Sequence, residues 1–140
     1  MSGESTTPNL AELTREIVEA VNRRDLDAVM SVFAPNCVWD DSAIGLGTRE
    51  GLTAIREHIE AWIGSYEEFD WVPEEQLDVG NGVRFGVSIQ KGRPVGSTSH
   101  VHQRFATVAV WVEGLVERFT TYPDIDAARA AAERLAKERA

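Results

Sequence analysis

The sequence predicts an α+β fold in which helices come first, an antiparallel sheet follows, and one helix closes the chain. Apolar residues recur at a spacing of about 3.6 as far as Tyr66. After Pro73 the pattern changes to extended runs broken by turn residues, and from Ile125 an alanine-rich segment restores the helical signal.

Met1 to Pro8 is small and polar and is expected to be a mobile tail ahead of a single domain over residues 9–137. Asn9 can cap a helix, with Glu12 three positions on completing a capping-box-like start. Leu10, Leu13, Ile17 and Val21 then share one face, and the helix should end near Arg23. Asp25 is the next cap, and Leu26, Val29, Met30 and Phe33 form a second short stripe that Pro35 stops. Val38-Trp39-Asp40-Asp41 reads as a short apolar strand, whose alternation puts Asp40 on the face of Val38 and Asp41 on the opposite one. One carboxylate should therefore look inward, and Asp40 is the one assigned there, where desolvation disfavours its charged form. The competing reading is a solvated Asp-Asp cap beside a turn. Ser42 to Gly51 is glycine-rich, yet its Gly-Leu-Gly lacks the lysine and strand-to-helix placement of a phosphate cradle and reads as a turn. From Thr53 to Tyr66, Ile55, Ile59, Trp62 and Ile63 define a third helix with His58 on its inward stripe.

Three consecutive antiparallel strands are expected over Val83 to Gln90, Ser99 to Val112 and Leu115 to Thr121. Lys91-Gly92-Arg93-Pro94 and Glu113-Gly114 are read as the turns between them. Val108 to Trp111 is apolar on both faces, so both sides of the middle strand should be covered. Asp124 or Asp126 starts the last helix.

The chain has 140 residues, 43% of them hydrophobic, which suits one core. A formal net charge of -9 disfavours nucleic acid and anionic membranes as partners. No apolar run approaches the roughly twenty residues of a membrane span, and a cytoplasmic location is expected. Cys37 is the only cysteine, which excludes an intramolecular disulfide and fits a small buried side chain. No cofactor is expected.

Few groups suit chemistry. His100 and His102 share one strand face with Arg104, but a metal site needs a third ligand and the arginine opposes a cation, so no metal is expected. Asp40 entering beside His58 would make a carboxylate-imidazole pair able to move protons. Trp39, Trp62, Trp71 and Trp111, with Phe85, Phe105, Phe119 and Tyr122, either line an apolar pocket or simply fill the core.

The element order, together with Asn22-Arg23-Arg24-Asp25-Leu26-Asp27-Ala28, Phe33 to Asp40, Val72-Pro73-Glu74-Glu75, Arg104-Phe105-Ala106, Glu113 to Arg118 and Tyr122-Pro123-Asp124, resembles the nuclear transport factor 2 superfamily and its SnoaL-like, polyketide cyclase-like branch. The resemblance implies a cone-shaped, curved antiparallel sheet wrapped around the N-terminal helices, in a cystatin-like half-barrel. It implies homodimers through the outer face of the sheet, and functions ranging from isomerases, cyclases, epoxide hydrolases and dehydratases to non-catalytic binders. The general base of ketosteroid isomerases matches Asp40, whereas their oxyanion-hole tyrosine and carboxylic acid fall on Ile17 and Thr107, which argues against steroid isomerisation. The acid that limonene epoxide hydrolases and polyketide aldol cyclases carry near the last strand has no match in Phe119-Thr120-Thr121-Tyr122.

The resemblance turns Asp40, His58, Gln103, Thr107 and Thr121 toward the pocket, framed by Trp62, Phe105 and Phe119, with Arg84 and Ser88 joining in the matching register. The expected function is binding of a small, mainly apolar organic molecule, with cofactor-independent proton transfer by Asp40 and its partner His58. A non-catalytic binding or dimerisation module is the alternative.

Overall fold

Asn9 starts the first helix as its sequence position suggests, because its side chain accepts a hydrogen bond from the Glu12 backbone N–H at 3.1 Å. The structure is a computed structural model that describes residues 9–140, so the tail expected over 1–8 lies outside the described residues. Helix α1 (Leu10–Asn22) is followed by the short helix α2 (Leu26–Met30), capped by Asp25. The second helix is shorter than expected: Phe33 opens strand β1 (Phe33–Asp41), where it pairs with Val116, and the Val116 N–H donates to Val32 O at 2.8 Å. Tertiary pairing overrides the helical stripe there.

A 3-10 turn (Ser42–Ile44) and the edge strand β2 (Gly47–Glu50) occupy the segment read as a turn, and helix α3 (Leu52–Gly64) follows. The largest departure is strand β3 (Tyr66–Gly80), fifteen residues in a segment not expected to form a strand. It lies at the end of the sheet order β2-β1-β6-β5-β4-β3, where Pro73 removes no needed ladder donor and coincides with a register shift against β4. Strand β4 (Val83–Pro94) runs through the segment assigned to a turn, pairing Gly92 with Phe69. A Cβ at Gly92 would lie 2.8 Å from the Glu68 carbonyl oxygen and the Tyr66 ring, so this glycine serves close strand approach. Strands β5 (Val101–Val112) and β6 (Leu115–Tyr122) and helix α4 (Ile125–Glu138) complete the chain.

The six-stranded sheet is curved and antiparallel except where β1 runs parallel to β6. Its inner face packs on α1 and α3 through Val18, Val21, Ile55, Ile59 and Ile63. Its outer face carries Val83, Phe85, Val87, Ala106, Val108 and Val110, covered by Ala128, Ala132 and Ala136 of α4. Three alanines four residues apart let the helix approach closely, and burying a residue such as Phe85 contributes about 1.5–3 kcal/mol. The two-sided apolar pattern of β5 is thus met within one chain. Among the described residues, no helix is long and apolar enough to cross a membrane.

Candidate functional site

The irregular pairing of β1 with β6 between Phe33 and Val38, around Pro35, sets which acid faces inward. Beyond it, Cys37, Trp39 and Asp41 are buried at 0%, 5% and 5% exposure, while Val38 and Asp40 point to the other face. The inward carboxylate is therefore Asp41, not Asp40. The expected alternation holds, but its phase is set by Cys37 and Trp39 rather than by Val38.

Asp40 accepts hydrogen bonds from the Ser42 N–H and hydroxyl and from Thr48, and pairs with Arg118 at 2.8 Å. The Ser42 hydroxyl chiefly, with its N–H and the Arg118 charge, holds the Asp40 carboxyl below its ordinary value, the opposite of the shift expected for an acid in an apolar interior. Asp40 lines a polar groove between β6 and α4, away from His58.

His58 is carried by α3 beside Ile55 and Ile59, whose burial fixes the rotation of the helix. Its Nε2 lies 2.8 Å from Asp41 Oδ2, with both side chains at most 10% exposed. With the proton on Nε2 the ring donates to the carboxylate and keeps Nδ1 as a free base. Asp41 Oδ1 is buried with no hydrogen-bond partner, an unusual state for a carboxylate oxygen.

This pair forms one wall of a cavity of about 240 Å³. Trp39, Trp62, Trp71, Phe105 and Phe119 supply its apolar lining, Gln103 and Thr121 add polar groups, and Ile44 and Leu46 sit at its edge. Trp39 stacks on Phe119 with centroids 4.4 Å apart and meets His58 edge-on at 5.9 Å. Trp62 Nε1 donates to Gln90 Oε1 at 3.0 Å, and Gln90 Nε2 donates to the Tyr66 hydroxyl at 2.7 Å. Asn22 fixes the Trp71 backbone by accepting from its N–H and donating to its carbonyl.

His58, Trp62, Gln103, Phe105, Phe119 and Thr121 thus come together as expected, whereas Ile17, Arg84 and Thr107 line a second, smaller cavity beneath α1. Ser88 is 1% exposed with its Oγ unpartnered, and lines neither cavity. Phe85 faces α4 and Tyr122 packs on that same outer cluster, so neither belongs to the cavity. Asp41 takes the inward place expected of Asp40, and Gln90 joins the cavity without having been assigned to it. The buried run of Cys37 and Trp39 was the available signal for Asp41, while Gln90 was hidden by uncertainty in strand register.

His100 is 58% exposed and lies 3.6 Å from Glu68, and Arg104 pairs with Glu74 at 2.7 Å. Among the described residues, no group of three His, Cys, Asp or Glu side chains is arranged to hold a metal.

A family model described as a SnoaL-like domain matches residues 14–121. No curated protein matches the chain significantly. Among solved structures, TerC co-crystallised with polyporic acid is 16% identical, with a TM-score of 0.71 over 89% of this chain and 97% of that one. A hypothetical protein from Catenulispora acidiphila with a ketosteroid isomerase-like fold, in complex with trimethylamine, is 16% identical with a TM-score of 0.73 over 86% and 92% of the two chains. A protein from Shewanella putrefaciens assigned as a SnoaL-like polyketide cyclase is 10% identical with a TM-score of 0.69 over 92% and 98% of the two chains. These likenesses establish a shared fold.

Proposed function

The chain belongs to the SnoaL-like domain family, and from that premise we propose that it binds a small, mainly apolar organic molecule in the aromatic cavity and moves a proton on it without a cofactor. The observation that carries this reading is the Asp41–His58 pair, 2.8 Å apart in the cavity wall, with Asp41 Oδ1 left unpartnered. Asp41 holds the imidazole in one orientation and tautomer and stabilises the imidazolium that forms when Nδ1 accepts a proton. The substrate is a carbon acid, such as a cyclic ketone, whose C–H bond breaks with its electron pair passing to the carbonyl oxygen as the proton goes to His58. Return of that proton to another carbon is an isomerisation; attack of the enolate carbon on a second carbonyl, with that carbonyl's π electron pair passing to its oxygen and the proton returning from His58 to the alkoxide, is a cyclisation. Thr121 and Gln103 line the same cavity and supply donors for the developing charge. Small organic molecules bound to TerC and to the Catenulispora protein support reading the cavity as a ligand site.

The test is deuterium incorporation at the α-carbon of cyclic ketones in D2O, followed by NMR. Wild type should catalyse exchange, and His58→Ala should lose about a hundredfold or more, the usual contribution of a general base. A second reading, ligand binding without turnover, is favoured by one observation. Ile17 and Thr107, at the positions the family resemblance gives to oxyanion donors, lie in the other cavity. Ketones that bind without any exchange would establish that second reading and end the first.

A further inference from the structure

Arg84 is a buried charged side chain at the inner face that the proposed chemistry leaves unused. It is 7% exposed, makes no hydrogen bond among the described residues, and keeps its Nε buried without a partner. Desolvation depresses its pKa, offset in part by the charge of Asp78 across the β3–β4 ladder. A guanidinium whose Nε is buried without a partner costs stability, and no hydrogen bond among the described residues returns the part that the Asp78 charge leaves.

The surroundings say what would. Arg84 lines a cavity of about 30 Å³ with Gln76, Thr107 and Ile17, which offers a carboxamide and a hydroxyl beside the guanidinium. That space has room for about one or two waters, and so suits a single small polar group rather than a whole ligand. Trp71 and Phe119 line both this cavity and the larger one that holds Asp41 and His58. Those two rings, with centroids 6.4 Å apart and edge to face, are the residues the two linings share, so the two spaces meet at this ring pair.

We propose that Arg84 anchors the carboxylate of the ligand, whose apolar body occupies the outer cavity against Trp62 and Phe105. The inference rests on the ligand-site reading of that outer cavity and narrows its substrate class to apolar organic acids. A guanidinium pairs with a carboxylate through two parallel N–H donors, and Nε is one of the available pair. The same arrangement puts the carboxylate in the smaller cavity at Arg84 and the reacting carbon in the larger one beside Asp41 and His58.

The test compares 3-phenylpropanoate and 5-phenylpentanoate with their primary amides by calorimetry, on wild type, Arg84→Met and Trp62→Ala. The account expects an acid to bind wild type about tenfold or more tightly than its amide, the scale of a charge-assisted hydrogen bond. Arg84→Met should erase that preference and leave amide binding unchanged, while Trp62→Ala should weaken acid and amide alike. Amides that bind as tightly as acids, or a preference that survives in Arg84→Met, would overturn the anchor while leaving the outer ligand site standing. Failure of both acids and amides to bind would remove the outer site and the anchor together. Melting of the free proteins gives a second readout: Arg84→Met should melt higher than wild type, since it removes an unpaired buried charge, and a lower melting temperature would assign Arg84 to structure and contradict the inference.

Discussion

Asp41 Oδ2 lies 2.8 Å from His58 Nε2 on the inner face of the sheet, while its chain neighbour Asp40 reaches Arg118 on the other face. Two adjacent carboxylates thereby take different tasks. One sits in an aromatic cavity beside an imidazole, and the other ties the end of β1 to β6 at the surface.

His58→Ala should destabilise the fold by about 1–3 kcal/mol, because it leaves the buried Asp41 carboxylate with neither oxygen partnered. His58→Gln restores a donor at similar reach and should recover part of that loss. Urea unfolding of both variants measures the difference. Equal stability of wild type and His58→Ala would mean the pair adds nothing to the fold.

The stability of the protein in acid should depend on Asp40. Its carboxyl is held below the ordinary range, first by the Ser42 hydroxyl, then by the Ser42 N–H, with Arg118 contributing further. A value lowered on folding gives stability that is fully present above the unfolded carboxylate value of about 3.9 and is lost as pH falls through the folded value. Asp40→Asn should therefore be less stable than wild type at pH 7, with the gap closing below about pH 4. Thermal melts across that range check the sign, and a gap that widens in acid contradicts it.

Gly82 should tolerate no side chain. Its φ is +81°, and a Cβ there would lie 2.4 Å from the Trp111 carbonyl oxygen, a backbone atom that cannot swing aside. Gly82→Ala should cost more than about 1 kcal/mol from the left-handed backbone alone, with the clash added. Gly45, at the same φ but with open space around it, supplies the control: Gly45→Ala should show only the backbone cost. Denaturation midpoints of the two variants separate these contributions.

The helices and the last three strands were legible because their signals are local. Asn9, Asp25 and Asp124 each accept a backbone N–H at a helix start, and the apolar face of α1 is continuous. Strand β3 was not legible, because an edge strand with one side of its ladder open carries charges and a proline that erase the alternating pattern. The site was legible as a pair of residue types, a carboxylate from β1 and His58 from α3, but not as the right carboxylate. The irregularity around Pro35 shifts the phase of β1 through pairing with a strand some eighty residues away, and no window around Asp40 contains that information. The family resemblance groups Ile17 of α1 and Arg84 and Thr107 of the sheet with the main site, whereas all three line the smaller cavity, which shares only Trp71 and Phe119 with the larger one.

The most direct measurement is a thermal-shift comparison of wild type, Asp40→Asn and Asp41→Asn against one panel of cyclic ketones, polyketide fragments, terpenoids and aryl carboxylic acids. A ligand at a hundredfold excess over its dissociation constant stabilises the folded state by about 2.7 kcal/mol, a shift that is readily read. The account predicts that compounds stabilising wild type stabilise Asp40→Asn equally and act differently on Asp41→Asn. Ligand shifts that persist unchanged in Asp41→Asn and disappear in Asp40→Asn would contradict it.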